Sequence, residues 1–165
     1  MEQNKLQSVL GLLRISMGLI FLWAFFDKLL GLGFATTAEK AWLAGGSPTS
    51  GFLQFGVNGP FADFFHSLSS MPMVDWLFML GLLFVGLTLT FGILVKLGSL
   101  AGAAMLFLMY IALIWGTPRN HPFIDDHFIY FFVMLTLMLS DSGDSFGFGN
   151  AWSHTSIVQK FSFLK

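Results

Sequence analysis

Histidine, aspartate, arginine, lysine and tyrosine, or a bound organic cofactor, must carry whatever chemistry this chain performs. It has no cysteine, which excludes disulfides, thiolate nucleophiles, c-type haem attachment and cysteine-ligated iron–sulfur clusters. The candidates gather at two places, Asp27-Lys28 and the stretch holding Arg119, His121, Asp125, Asp126, His127 and Tyr130, while Arg14 stands alone inside an apolar run. Residues three and four apart share a helical face, so Asp126, His127 and Tyr130 can form one polar strip pointing into a helix bundle. Arg14 and Lys28, almost four turns apart, share a face about 21 Å long. Gly11 and Gly18 flank Arg14 on that stripe, so Arg14 packs inward, where a buried charge requires a partner. The sequence does not name that partner. Neither His121 nor His127 has the ligand spacing of a metal or haem site, so no metal and no haem are expected. No G-x-S-x-G, H-E-x-x-H, phosphate-loop or dinucleotide-binding pattern is present.

These side chains must be positioned by elements that are mostly apolar. Of 165 residues, 55% are hydrophobic and 10% charged, and 21 are phenylalanine; the mean hydropathy is +0.75. Soluble domains carry roughly 25% charged residues, so much of this surface faces something other than water. A net charge of −1 and the absence of a Lys/Arg-rich run exclude nucleic acid as an expected partner. Backbone groups in hydrocarbon must be satisfied internally, so long apolar runs read as helices. The expectation is an all-α integral membrane protein of one domain, 1–165, with transmembrane helices at about 8–28, 72–95, 97–115 and 123–140.

The first run, Val9 to Phe26, has the length of a signal peptide. Arg14 inside it, and the lack of an A-x-A cleavage pattern before Asp27-Lys28, read as a retained helix instead. Pro72 suits a first helical turn, where its missing N–H matters little, and Asp75 complements the dipole there. Lys96 and Gly98 leave only a tight turn between the second and third helices, and Ser99, Gly102 and Ala103 let a neighbour approach closely. The fourth run is the weakest, because its uncharged part is shorter than the roughly 20 residues of a full span. It reads as a span or as a re-entrant segment; an even number of crossings fits the charges better.

The connection 31–71 is far longer than usual and is expected to be folded or functional. Phe61, Phe64, Phe65 and Leu68 recur at helical spacing after Pro60, which predicts a short amphipathic helix with Asp63, His66 and Ser67 on its wet side. It lies at the membrane interface or folds over the bundle mouth. The tail 141–165 alternates Gly, Phe and polar residues, which predicts interfacial contact and no further structure. Lys5, Arg14, Lys96, Lys160 and Lys165 fall on one side of the membrane and Lys28, Lys40 and Arg119 on the other. The positive-inside rule then places both termini in the cytoplasm of a multi-pass cell-membrane protein. The inner end is thus expected to be plain and the outer end to hold the chemistry.

Two readings of the outer charges stand side by side. Ionisable groups at membrane depth mark functional sites. At the interface, by contrast, Asp125 would cap a helix and the cations would reach headgroups.

Several stretches together resemble the DoxX/DoxD group of small four-helix membrane proteins. They are Arg14 in a Gly-spaced helix ending at Asp27-Lys28, then Gly59-Pro60-Phe61-Ala62 to Val74-Asp75-Trp76-Leu77. The third is Asn120-His121-Pro122-Phe123-Ile124-Asp125-Asp126-His127 with Ile129-Tyr130. The resemblance runs from Leu12 to about Leu139. It implies relatives such as the membrane subunit of thiosulfate:quinone oxidoreductase, which oxidises thiosulfate to tetrathionate and reduces quinone, working with a small second subunit on the outer side. Other members are implicated in redox homeostasis alongside sulfur-transfer and superoxide-handling proteins.

Such a reaction needs a cationic pocket for a dianion and an apolar slot for a quinone. The resemblance therefore implies an oxidoreductase subunit with quinone as cofactor. Lys28, Arg119, His121 and Arg14 are the candidate substrate-binding residues. His127, Asp126 and Tyr130 are the candidate catalytic ones, bonding quinone oxygens and moving protons. Asp27, Asp125 and Asp126 leave the mouth roughly neutral, which favours a quinone or proton site over a thiosulfate site. The competing expectation is a non-catalytic subunit or scaffold that anchors soluble redox partners. A transporter fits less well, since no helix is broken and no repeat is present. Membrane lipid is an expected partner, and self-association into a homo-oligomer is compatible with the small-residue faces.

Overall fold

The computed structural model describes residues 2–69, 71–114 and 123–164, and every regular element among them is helical. The elements used below are α1 (Glu2–Leu30), α2 (Ala62–Leu68), α3 (Pro72–Phe91), α4 (Val95–Leu113), α5 (Asp126–Met138), α6 (Gly149–Ser153) and α7 (Ser156–Lys160). Three helices, α1 from Lys5 onward, α3 and α4, are long and apolar enough to cross a membrane. Helix α5 has 13 residues, about 20 Å at the helical rise, so it falls short of the fourth span expected from the sequence.

Four helices nevertheless run side by side. Helix α1 packs along α3, α3 along α4, and α4 along α5, around one core that includes Met17, Phe21, Met79, Val85, Leu89, Leu106, Met134 and Leu137. The small residues read from the sequence do allow close approach. Ser99, Gly102 and Ala103 are all buried, and a Cβ at 102 would stand 2.9 Å from the Met134 methyl of α5. Lys96 and Gly98, expected in the turn, lie inside α4, and the turn is at 92–94. Pro72 occupies the first turn of α3, and Gly92, at φ 73°, ends that helix in the left-handed conformation that glycine adopts without strain.

The end of the bundle that carries the chain termini, the tail end, is not plain. Arg14 is wholly buried there, and its partner is no acid. The guanidinium donates through Nε to Ser142 O at 3.2 Å, through Nη1 to Leu89 O and Thr90 O, and through Nη2 to Ser145 O at 2.9 Å and Phe146 O. Leu89 and Thr90 lie in the last turn of α3, whose carbonyls have no partner within the helix. A cation at a helix C-terminus also opposes the dipole. Phe91 O, the next carbonyl, accepts from Phe148 N at 2.8 Å. The tail, expected to lack structure, is therefore a folded base. It turns at 142–144, forms α6 and α7, and brings residues 162–164 back against α4. Glycine permits this enclosure: a Cβ at 147 would stand 2.7 Å from Gly143 O and 2.8 Å from Arg14 Nη2.

At the opposite, loop end, 31–69 is folded onto the bundle. Asp75 in the first turn of α3 accepts from Ser47 Oγ at 2.8 Å, Thr49 Oγ1 at 2.5 Å and Thr49 N at 3.3 Å. Trp42 packs on the main core and edge-on to Trp76, with centroids 4.7 Å apart. A second small core joins Leu53, Val57 and Phe65 to Ala112 of α4. Helix α2 starts at Ala62, two residues later than Pro60 suggested, because Gly59 and Pro60 form a turn closed by Ala62 N to Gly59 O. Its aromatic face divides: Phe65 is buried against the bundle, while Phe61 and Phe64 stay exposed.

Candidate functional site

The N-terminus of α5 places the histidine. Tyr110, near the end of α4, donates its hydroxyl to Phe123 O at 2.8 Å and lays its ring 5.1 Å from that of Phe128. The chain is thus clamped to α4 just before α5 begins. Asp125 is extended and caps the helix: one carboxylate oxygen accepts from Phe128 N at 3.0 Å, the bond that Asp at this position is selected for. Its other oxygen lies 3.2 Å from His127 Nδ1. Asp125 is thus a helix cap, as the interfacial reading expects, and also the partner of an imidazole.

That pair has a chemical consequence. With Nδ1–H donating to the carboxylate, the lone pair of the neutral ring sits on Nε2, where it can accept a proton. His127 keeps 26% of its side-chain exposure and Asp125 14%, so the pair is sheltered yet reachable. Tyr130, one turn further along the same face, packs against the main core. Asp126 departs from the expected strip. It is exposed at the first turn of α5, and the carboxylate at His127 is Asp125. An aspartate at the helix cap, two residues before a histidine, was the sequence signal for this.

The other mouth residues separate. Asp27 is buried, and its carboxylate accepts from Phe34 N at 3.2 Å and Ala35 N at 3.0 Å, so it shapes the turn after α1. Lys28, beside it, is half-buried, and among the described residues no carboxylate lies within ion-pair distance of it. Arg14 sits at the tail end, about 21 Å along α1 from Lys28, with its donors directed at carbonyls. Arg119 and His121 lie outside the described residues. Among the described residues, no group of three or more His, Asp or Glu stands close enough to hold a metal ion. Compared with family models, with curated proteins and with solved structures, the sequence matches none of them.

Proposed function

We propose that the chain is a quinone-linked membrane redox protein of the DoxX/DoxD type, with four membrane crossings, both termini cytoplasmic and its site at the outer mouth. The observation that supports this most is the Asp125–His127 pair at the start of α5, partly exposed and one turn from Tyr130. Reduction of a quinone takes two electrons and two protons, and a carboxylate-held imidazole supplies a proton donor and acceptor at a fixed place. In this reading the 13 residues of α5 cross together with the residues that flank them.

The donor reaction would be 2 S2O3(2−) + Q + 2 H+ → S4O6(2−) + QH2, in which two thiosulfates join through a new S–S bond and the quinone takes the electrons. In this reading Lys28 holds the dianion together with Arg119 and His121. A small subunit on the outer face would dock beside the 31–71 loop.

Thiosulfate-dependent quinone reduction by the reconstituted chain, with and without a candidate second subunit, tests this reading. Turnover that requires the chain supports it, and no turnover in either case removes thiosulfate as the donor. The second reading, a scaffold for soluble redox partners, draws on the ordered loop and its exposed Phe34, Leu43 and Phe55. A scaffold would co-purify with such partners and tolerate His127→Ala without loss of cellular function.

A further inference from the structure

The folded tail has no part in the proposed redox site, yet it presents a row of large apolar side chains. Phe146, Phe148, Ile157, Phe161 and Phe163 are between 47% and 62% exposed, while Gly143, Gly149 and Val158 face inward and are buried. Helix α3 has 20 residues, about 30 Å at the helical rise, which equals the hydrocarbon thickness of a bilayer. A crossing centred on α3 places Phe91 at the boundary of the apolar layer at the tail end.

Three ties hold the tail at that level. The first is the Arg14 guanidinium on Ser145 O and Phe146 O, and the second is Phe148 N on Phe91 O. The third is the turn at 162–164, packed against α4 and joined to α6 by Trp152 Nε1 donating to Leu164 O at 2.7 Å. The apolar surface joins that of α3 at Phe148. The Phe148 ring stands 6.3 Å from that of Phe91, itself exposed on the outside of α3. Lys160 extends its Nζ over the Phe161 ring at 5.7 Å, and Lys5 is exposed on α1 at the same end.

We propose that the tail is an interfacial foot whose phenylalanines enter the acyl–headgroup boundary of the adjacent leaflet while Lys160 and Lys5 meet lipid phosphates. Aromatic rings and lysines take this place at membrane boundaries because one end of each side chain is apolar and the other is wet or charged. Bilayer lipid is the occupant because the ties hold the rings at the edge of the apolar layer, continuous with the surface that the spanning helices already present. A soluble partner would need those rings clear of it.

The absence of cysteine makes the test direct. Single cysteines at 148, 157, 161 and 163, and at the exposed polar positions 150, 154 and 159, are nitroxide-labelled in the full chain and reconstituted into phosphatidylcholine vesicles. Collision rates with oxygen and with a water-soluble nickel chelate are then compared. The four apolar positions should show several-fold lower nickel access and higher oxygen access than the three polar ones, and added phosphatidylglycerol should deepen them. Lys160→Glu should cancel the effect of phosphatidylglycerol. Equal nickel access at all seven positions overturns the proposal, as does protection of the apolar positions that arises only when a soluble protein fraction is added. An absent response to phosphatidylglycerol overturns the part assigned to the lysines.

Discussion

Arg14→Met should lower the stability of the protein more than any other single substitution in the bundle. The replacement keeps much of the side chain's volume and apolar stem but removes every donor. Leu89 O, Thr90 O, Ser142 O, Ser145 O and Phe146 O then lose the group that joins them. A buried acceptor left unsatisfied costs about 1–3 kcal/mol. Some of these carbonyls can recover water at the membrane boundary, so the expected loss is about 3–5 kcal/mol. Arg14→Lys should fall between, because three donors on a point-like ammonium cannot reproduce a planar five-donor fork.

The effect should be local before it is global. The tail is tied through this side chain, so limited proteolysis should cut residues 141–164 in Arg14→Met under conditions that leave the native chain intact. Gly147→Val should act in the same direction, by crowding Arg14 Nη2 and Gly143 O. An Arg14→Met protein with an unchanged melting temperature and a protected tail would show that the guanidinium is not the tie.

His127→Ala should have the second large effect, on activity and not on stability. The helix cap resides in Asp125 and Phe128 N, so removing the imidazole leaves the start of α5 intact. The partly exposed ring fills no core position, and the melting temperature should stay within a degree or two of the native value, in line with surface substitutions of about ±0.5 kcal/mol. Proton transfer by a positioned side chain contributes about 10²–10⁴-fold, and quinone reduction should fall by that order. Asp125→Asn is the informative companion. Asparagine caps a helix nearly as well as aspartate but removes the charge beside Nδ1, so rate should fall less than in His127→Ala while the helix persists. Asp126→Asn, at an exposed position, should change the rate least of the three. Measuring rate and melting temperature on the same preparations separates a chemical role from a structural one; equal rates in native and His127→Ala protein would remove the imidazole from the reaction.

Much of the scaffold was legible because the membrane simplifies the reading. Uncharged runs locate α3 and α4, Pro72 marks a start, and Ser99, Gly102 and Ala103 mark a face that is indeed buried. The turn between the helices, expected at Lys96 and Gly98, lies instead at 92–94, where Gly92 supplies the left-handed conformation. The inward turn of Arg14 was legible too, from Gly11 and Gly18 on its stripe. Its partner was not, because it is a set of backbone carbonyls, which leave no mark on side-chain identity, and most come from a tail about 130 residues further along the chain. The tail itself was invisible to periodicity: α6 and α7 have 5 residues each, too short for a 3.6-residue pattern to register. Only the repeated glycines at 143, 147 and 149 hinted that backbone would meet backbone there.

The candidate site shows the same division. The helix face carrying His127 and Tyr130 followed from spacing alone. Which aspartate serves the histidine did not, because Asp125 lies outside the helix proper, where i, i+3 and i+4 reasoning does not apply, and its extended backbone brings the carboxylate around to Nδ1. Asp27 looked like a mouth acid and is a loop anchor, since the long connection folds back and offers it two N–H groups.

Whether the loop end holds a quinone is most directly settled by extraction. The chain is purified into lipid nanodiscs from a quinone-containing membrane, and its organic extract is measured by absorbance before and after reduction, against empty nanodiscs of the same lipid. The expected result is about one quinone per chain above the lipid background for a specific, preformed site, with a clear reduction in His127→Ala. Quinone content equal to that of the empty nanodiscs would contradict a quinone site on this protein.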